Sequence, residues 1–187
     1  AMRRFTLLCD PGRVKRGLKP REEFGPVLEE GKRYALVVDR GWPDANGTPL
    51  VRETRKAIST LAPDDTPIDP ATWQVESPTP AGTEPLVVRF GDPLDHSLAL
   101  RLIKVADASG QSVAGSAELV EEETCWRFTP AQPWQAGDYR LVVDTALEDL
   151  AGNAVGRAFD ADVFGKVQKR IEARTVEVPF EITVGEH

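Results

Sequence analysis

Gly31-Lys32-Arg33-Tyr34-Ala35-Leu36-Val37-Val38-Asp39 returns later in the chain as Gly137-Asp138-Tyr139-Arg140-Leu141-Val142-Val143-Asp144. Both copies then run into an Asp, a Gly and an apolar residue at matching distances. Tyr34 and Tyr139, Val38 and Val143, Asp39 and Asp144, Asp44 and Asp149, Gly47 and Gly152, and Leu50 and Val155 all share one offset, 105 residues. The repeated stretch alternates as a half-buried strand does, so the chain repeats a β-unit.

A period near 105 is the size of one immunoglobulin-like sandwich, which predicts an all-β protein of tandem modules. Fifteen Pro and fifteen Gly among 187 residues fit many short strands joined by tight turns. In the second module, strands are expected near Trp73–Glu76, Pro85–Phe90, Leu102–Ala106, Ser116–Val120, Thr124–Thr129, Asp138–Asp144 and Ala158–Phe164. Asp95-His96-Ser97 ahead of Leu98 predicts an N-cap and a turn or two of helix. The segment 61–70 holds three Pro and three Asp and is expected to be a stiff linker, separating a half-module at 1–60 from a sandwich at 71–164.

The first copy is incomplete. Strands are expected at Arg3–Cys9, Lys32–Asp39 and Arg52–Ser59, and Arg4-Phe5-Thr6 matches Arg127-Phe128-Thr129, so nothing precedes it to match Trp73 through Glu123. From Thr6 to Tyr34 there are 28 positions against 10 from Thr129 to Tyr139, an insertion of 18 residues. A half-sandwich leaves strand edges and apolar surface exposed, both unfavourable. Residues upstream, a second copy of the chain, or the alternating tail within 165–187 are candidates to complete it, and the tail is the expected cover.

The net charge of −7 and sequence pI near 5.0 argue against a general nucleic-acid binder, which needs a basic face for phosphate. No apolar run is long enough to span a membrane and no secretion signal opens the chain, so the protein is expected to be either cytoplasmic or trimmed; Ala1-Met2 reads as a cloning scar, which supports trimming. Cys9 and Cys125 each lie in or beside an apolar strand pattern and are expected to be buried free thiols, with pairing left open.

Pro133-Trp134-Gln135-Ala136-Gly137-Asp138-Tyr139 leading into a strand, with Asp149-Leu150-Ala151-Gly152-Asn153 leading out, resembles the bacterial Ig-like domains of the S-layer type. Phe90-Gly91-Asp92-Pro93-Leu94 and Trp126-Arg127-Phe128-Thr129-Pro130 are similar to two further segments of that family. The likeness spans about residues 70–164, and in the first module only Tyr34 to Leu50. It implies secreted, periplasmic or cell-surface modules that act as spacers, stalks or accessory domains beside other domains of one polypeptide or other envelope components, without catalysis or a cofactor.

Arg13, Lys15, Arg16, Lys19 and Arg21 put five cations within nine residues of an acidic protein, beside glycines whose amides could join in gripping an anionic partner. A solvated surface is the competing explanation. Trp42 and Trp134 lie in loops and are the candidates for stacking on sugar rings, whereas Trp73 and Trp126 read as core. Asp39, Asp44, Asn46, Asp144, Asp149 and Asn153 offer calcium too few oxygens per turn, so turn capping explains them as well. Asp92, Asp95 and His96 lack a signature nucleophile, and helix capping is the better account. Glu118 and Glu121-Glu122-Glu123 read as a hairpin rim.

Overall fold

The protein is described by a computed structural model that covers residues 9, 11–14, 18–44, 46–159 and 174–183. The chain divides into two compact units, Ala1–Pro63 and Asp64–His187. Its described regular structure is mainly strand, and its longest helix has seven residues.

In the second unit, β3 (Gln74–Glu76), β4 (Leu86–Arg89), β6 (Gly115–Val120) and β7 (Cys125–Pro130) form a four-stranded antiparallel sheet in the order β3-β4-β7-β6. β5 (Ile103–Asp107), β8 (Gly137–Asp144) and β9 (Thr175–Ile182) form a three-stranded antiparallel sheet in the order β5-β8-β9. Period-two alternation aligns the apolar positions into rows. Val75, Val88, Trp126 and Leu119 stand side by side across the first sheet, and Val105, Leu141 and Val178 across the second. Both rows enter one hydrophobic cluster, in which Leu86, Val88, Leu141 and Val143 are fully buried. Each such side chain contributes about 1.5–3 kcal/mol.

An aromatic series links the two sheets: Trp126 stacks on Phe128, Phe128 tilts against Trp134, Trp134 meets Tyr139 edge-on at 5.4 Å, and Tyr139 stacks on Phe180. The crossover from β4 to β5 is α3 (His96–Leu102), started by Asp95, whose Oδ1 accepts from Leu98 N at 2.8 Å, and held to the core through Ala99.

Six of the expected strands of this unit lie within one residue of the observed ones at either end. The seventh does not. Ala158 and Phe159 are outside any strand, the rest of 158–164 lies outside the described residues, and the strand beside β8 is β9, from the tail. The tail was expected to cover the first module; instead Val176, Val178, Phe180 and Ile182 complete the core of the second. The Pro/Asp-rich stretch is likewise more than a linker. Ile68 is 8% exposed, pairs in parallel with Val155 and accepts from Gly156 N at 2.9 Å, so the chain is already packed on the second unit from Asp64 onward.

The first unit contains α1 (Pro11–Val14), α2 (Lys19–Phe24) and a two-stranded antiparallel sheet of β1 (Arg33–Val38) and β2 (Thr54–Ser59). Tyr34, Leu36 and Val38 take one face of β1 and are half-buried, but no described residue of this unit is fully buried. The strand expected at Arg3–Cys9 lies outside the described residues except for Cys9, which is not in a strand and is exposed rather than buried.

Candidate functional site

The basic segment is built as a clasp. Arg13 near the end of α1 reaches the end of α2, where Nε donates to Gly25 O and Nη2 to Phe24 O and Pro26 O, each at 3.3 Å. Arg21 in α2 reaches back, donating from Nη1 to Val14 O. A helix end leaves its last carbonyls unpaired, and a guanidinium with five donors is suited to collect them. Two of the five cations are thus engaged in joining α1 to α2, while Lys19 is exposed at the start of α2. Lys15 and Arg16 lie outside the described residues.

The two loop tryptophans part company. Trp42 is 58% exposed. Trp134 is 2% exposed, with Nε1 donating to Glu84 O at 2.9 Å, so its expected role as a stacking surface is corrected to a core anchor. The reason is tertiary: a carbonyl 50 residues away satisfies the indole N–H and lets the ring enter the aromatic series.

The repeated acidic residues cap turns, and they do so alike in both units. Asp44 Oδ1 accepts from Asn46 N and Thr48 N at 2.8 and 2.9 Å; Asp149 Oδ1 accepts from Ala151 N and Asn153 N at 2.8 and 2.9 Å. Asp39 Oδ1 accepts from Gly41 N and Asp144 Oδ1 from Ala146 N. Tyr34 OH accepts from Glu29 N at 2.8 Å; Tyr139 OH contacts Gln135 N and O at 3.3 and 3.2 Å. In the second unit both ends of the turn, Asp149 and Asn153, are buried, while Leu150 at its tip is exposed. Asn153, fully buried, donates from Nδ2 to Asp149 Oδ2 and Asp64 O and accepts at Oδ1 from Phe159 N. Among the described residues, no group of three His, Cys, Asp or Glu side chains is placed to hold a metal ion.

Asp95 is committed to its helix cap, His96 Nδ1 lies 3.5 Å from Glu123 Oε1, and Asp92 is exposed. A shallow hollow of about 550 Å³ lies over β8 and β9, lined by Asp138, Tyr139, Arg140, Glu177, Pro179, Phe180 and Glu181, with Arg140 Nε 3.5 Å from Glu177. It brings none of the residues singled out from the sequence for binding or catalysis together. Elsewhere, Ser109 Oγ and the Gln111 N–H hold the Asp107 carboxyl below the usual carboxylate range, and burial pushes the Cys125 thiol up.

The β6–β7 turn falls where the sequence reads as a hairpin rim, but its backbone conformation escaped that reading. Glu121, Glu122 and Glu123 adopt φ of 53°, 56° and 65°, the left-handed region that favours Gly, Asn or Asp, and glutamate carries no local signal for it. The turn is tied down by Arg89, which contacts Glu121 at 2.6 Å and Glu76 at 2.8 Å, and by Thr124 Oγ1 donating to Glu121 O.

No protein-family profile matches the chain, and no curated protein does. Among solved structures, the S-layer protein rSbsC(31-844) aligns at 23% identity over 45% of this chain, with a TM-score of 0.36. The aligned part spans 12% of that protein's length. Among the described residues, no helix is long and apolar enough to cross a membrane.

Proposed function

We propose that Asp64–His187 is an immunoglobulin-like sandwich, that Ala1–Pro63 carries the closing half of a related module, and that the chain is a non-enzymatic structural or interaction segment of a bacterial cell-envelope or exported protein. The observation that carries this reading is strand order. With the seven described strands of the second unit lettered A to G along the chain, the sheets read A-B-E-D and C-F-G, the order of the constant-type immunoglobulin sandwich. Tyr139 lies near the start of the sixth strand and ties its hydroxyl to the backbone four residues upstream, as the corner tyrosine of such sandwiches does. In the first unit, Tyr34 faces Ile58 across β1 and β2 as Tyr139 faces Phe180 across β8 and β9.

Fold alone does not assign a role. Support for a scaffold comes from where the polar groups go: Asp39, Asp44, Asp95, Asp144 and Asp149 accept main-chain N–H groups, and Arg13 and Arg21 donate to main-chain carbonyls. The envelope location rests on the motif resemblance. Fractionation of cells producing the full-length gene product, with antibody detection in each fraction, tests it: signal in the surface or periplasmic fraction is expected, and confinement to the cytosol rejects it.

The alternative is an accessory module for polysaccharide or an anionic partner, using Lys15, Arg16 and Lys19 with Trp42, since Arg13 and Arg21 are taken up by the clasp. Exposed Trp42 and Lys19 are what favour it. Salt-sensitive binding on a glycan and heparin array, lost on Lys15→Ala with Arg16→Ala and Lys19→Ala, is its signature.

A further inference from the structure

A sheet edge offers a row of unpaired backbone donors and acceptors, and proteins blunt it with short strands, charges or proline. Among the described residues, the second unit blunts all four of its sheet edges. β3 has three residues, β6 carries Glu118, β5 carries exposed Lys104, and β9 has Pro179 at its centre between Glu177 and Glu181. In the first unit, β2 carries Arg55 and Lys56. β1 is different. Between Arg33 and Asp39 it runs Tyr34-Ala35-Leu36-Val37-Val38, without charge, proline or glycine, and Val37 is 40% exposed. Its strand partner among the described residues is β2, on one side.

The second unit shows what this edge accepts. β8, which repeats β1 at the 105-residue offset, is flanked on its other side by β5, antiparallel, with Ile103 facing Val143, Val105 facing Leu141 and Asp107 facing Tyr139. A partner for β1 must therefore be an antiparallel strand that is apolar at alternate positions and ends in a charge able to meet Arg33 or Asp39.

β1 meets that description itself. We propose that the edge of β1 left without a strand partner among the described residues pairs antiparallel with β1 of a second copy of this chain, about a two-fold axis at Leu36. In that register Leu36 faces Leu36 of the second copy, Tyr34 faces Val38, Ala35 faces Val37, and Arg33 faces Asp39 at both ends. A two-fold axis normal to the sheet allows only shifts of the axis by one residue. An axis at Ala35 sets Arg33 against Val37, and one at Val37 sets Tyr34 against Arg40, so charge complementarity selects Leu36. Lys32 and Arg40, the next pair outward, are both cationic and confine the pairing to residues 33–39. The proposal does not depend on the envelope reading.

Sedimentation velocity of the full chain over a concentration series is the test. A monomer–dimer equilibrium is expected, abolished by Leu36→Lys, which sets two like charges on the axis. Arg33→Glu and Asp39→Lys should each weaken association about tenfold, and the double variant should restore it to within about threefold. Circular dichroism and hydrogen exchange of β1 and β2 check that the variants remain folded. In a Cys9→Ser background, Leu36→Cys should form a disulfide-linked dimer on oxidation, while Ile58→Cys should not. A chain that stays monomeric up to sub-millimolar concentration overturns the proposal. So does a dimer indifferent to Leu36→Lys and to both charge reversals.

Discussion

At Gly152 the backbone has φ +87°, and an added Cβ would lie 2.7 Å from the ring of Phe159. Gly152→Ala combines left-handed strain with overpacking and is expected to lower the stability of the second unit by about 2–3 kcal/mol in urea melts, with an unchanged m-value. Glu122 invites the opposite change. Its exposed side chain sits at φ 56°, and Glu122→Gly removes backbone strain at the cost of a more flexible unfolded chain, for a net gain of about 1 kcal/mol by the same measurement. Asn153→Ala strips buried Asp149 Oδ2 and Asp64 O of a donor and Phe159 N–H of its acceptor, with an expected loss of about 3 kcal/mol. The thiols should also separate. Exposed Cys9 reacts promptly with a thiol reagent, whereas Cys125, 1% exposed and with burial disfavouring its thiolate, reacts only on unfolding; titrating thiols in native and denatured protein reads this directly.

Among the elements, β9 carries the largest consequence. It supplies Val176, Val178, Phe180 and Ile182 to the cluster and pairs along all of β8. With Ile182 buried and the other three partly so, they amount to roughly 4 kcal/mol, which with the lost pairing along β8 is comparable with the whole stability of a small domain, so truncation before Arg174 should leave the second unit without a cooperative thermal transition. Strand spans were legible because alternation has period two and the turns between them are marked by Gly, Pro and Asp. The partner of β8 was not. Ala158–Phe164 and Thr175–Ile182 both alternate, and alternation states that a strand has an apolar face without stating which sheet buries it. The same holds at Trp134, whose loop setting suggested exposure until a distant carbonyl supplied its partner.

At the scale of the whole molecule, the division between Pro63 and Asp64 falls inside the segment expected to be a linker, but residues from Asp64 onward belong to the second unit. A fragment beginning at Asp64 should therefore keep the thermal transition of that unit, while one beginning at Trp73, lacking Ile68 and its pairing with Val155, should melt at a lower temperature in calorimetry. The amino-acid sequence by itself determined the repeat at 105 residues, the strand character, the helix cap at Asp95 and the turns at Asp44 and Asp149, because each depends on neighbours within a few residues. Only the tertiary structure decided that the tail closes the second unit, that Trp134 lies inside, and that Arg13 and Arg21 clasp two helices. Those outcomes depend on which distant surface first removes an apolar face from water or satisfies a lone donor, and local order along a chain carries no record of that.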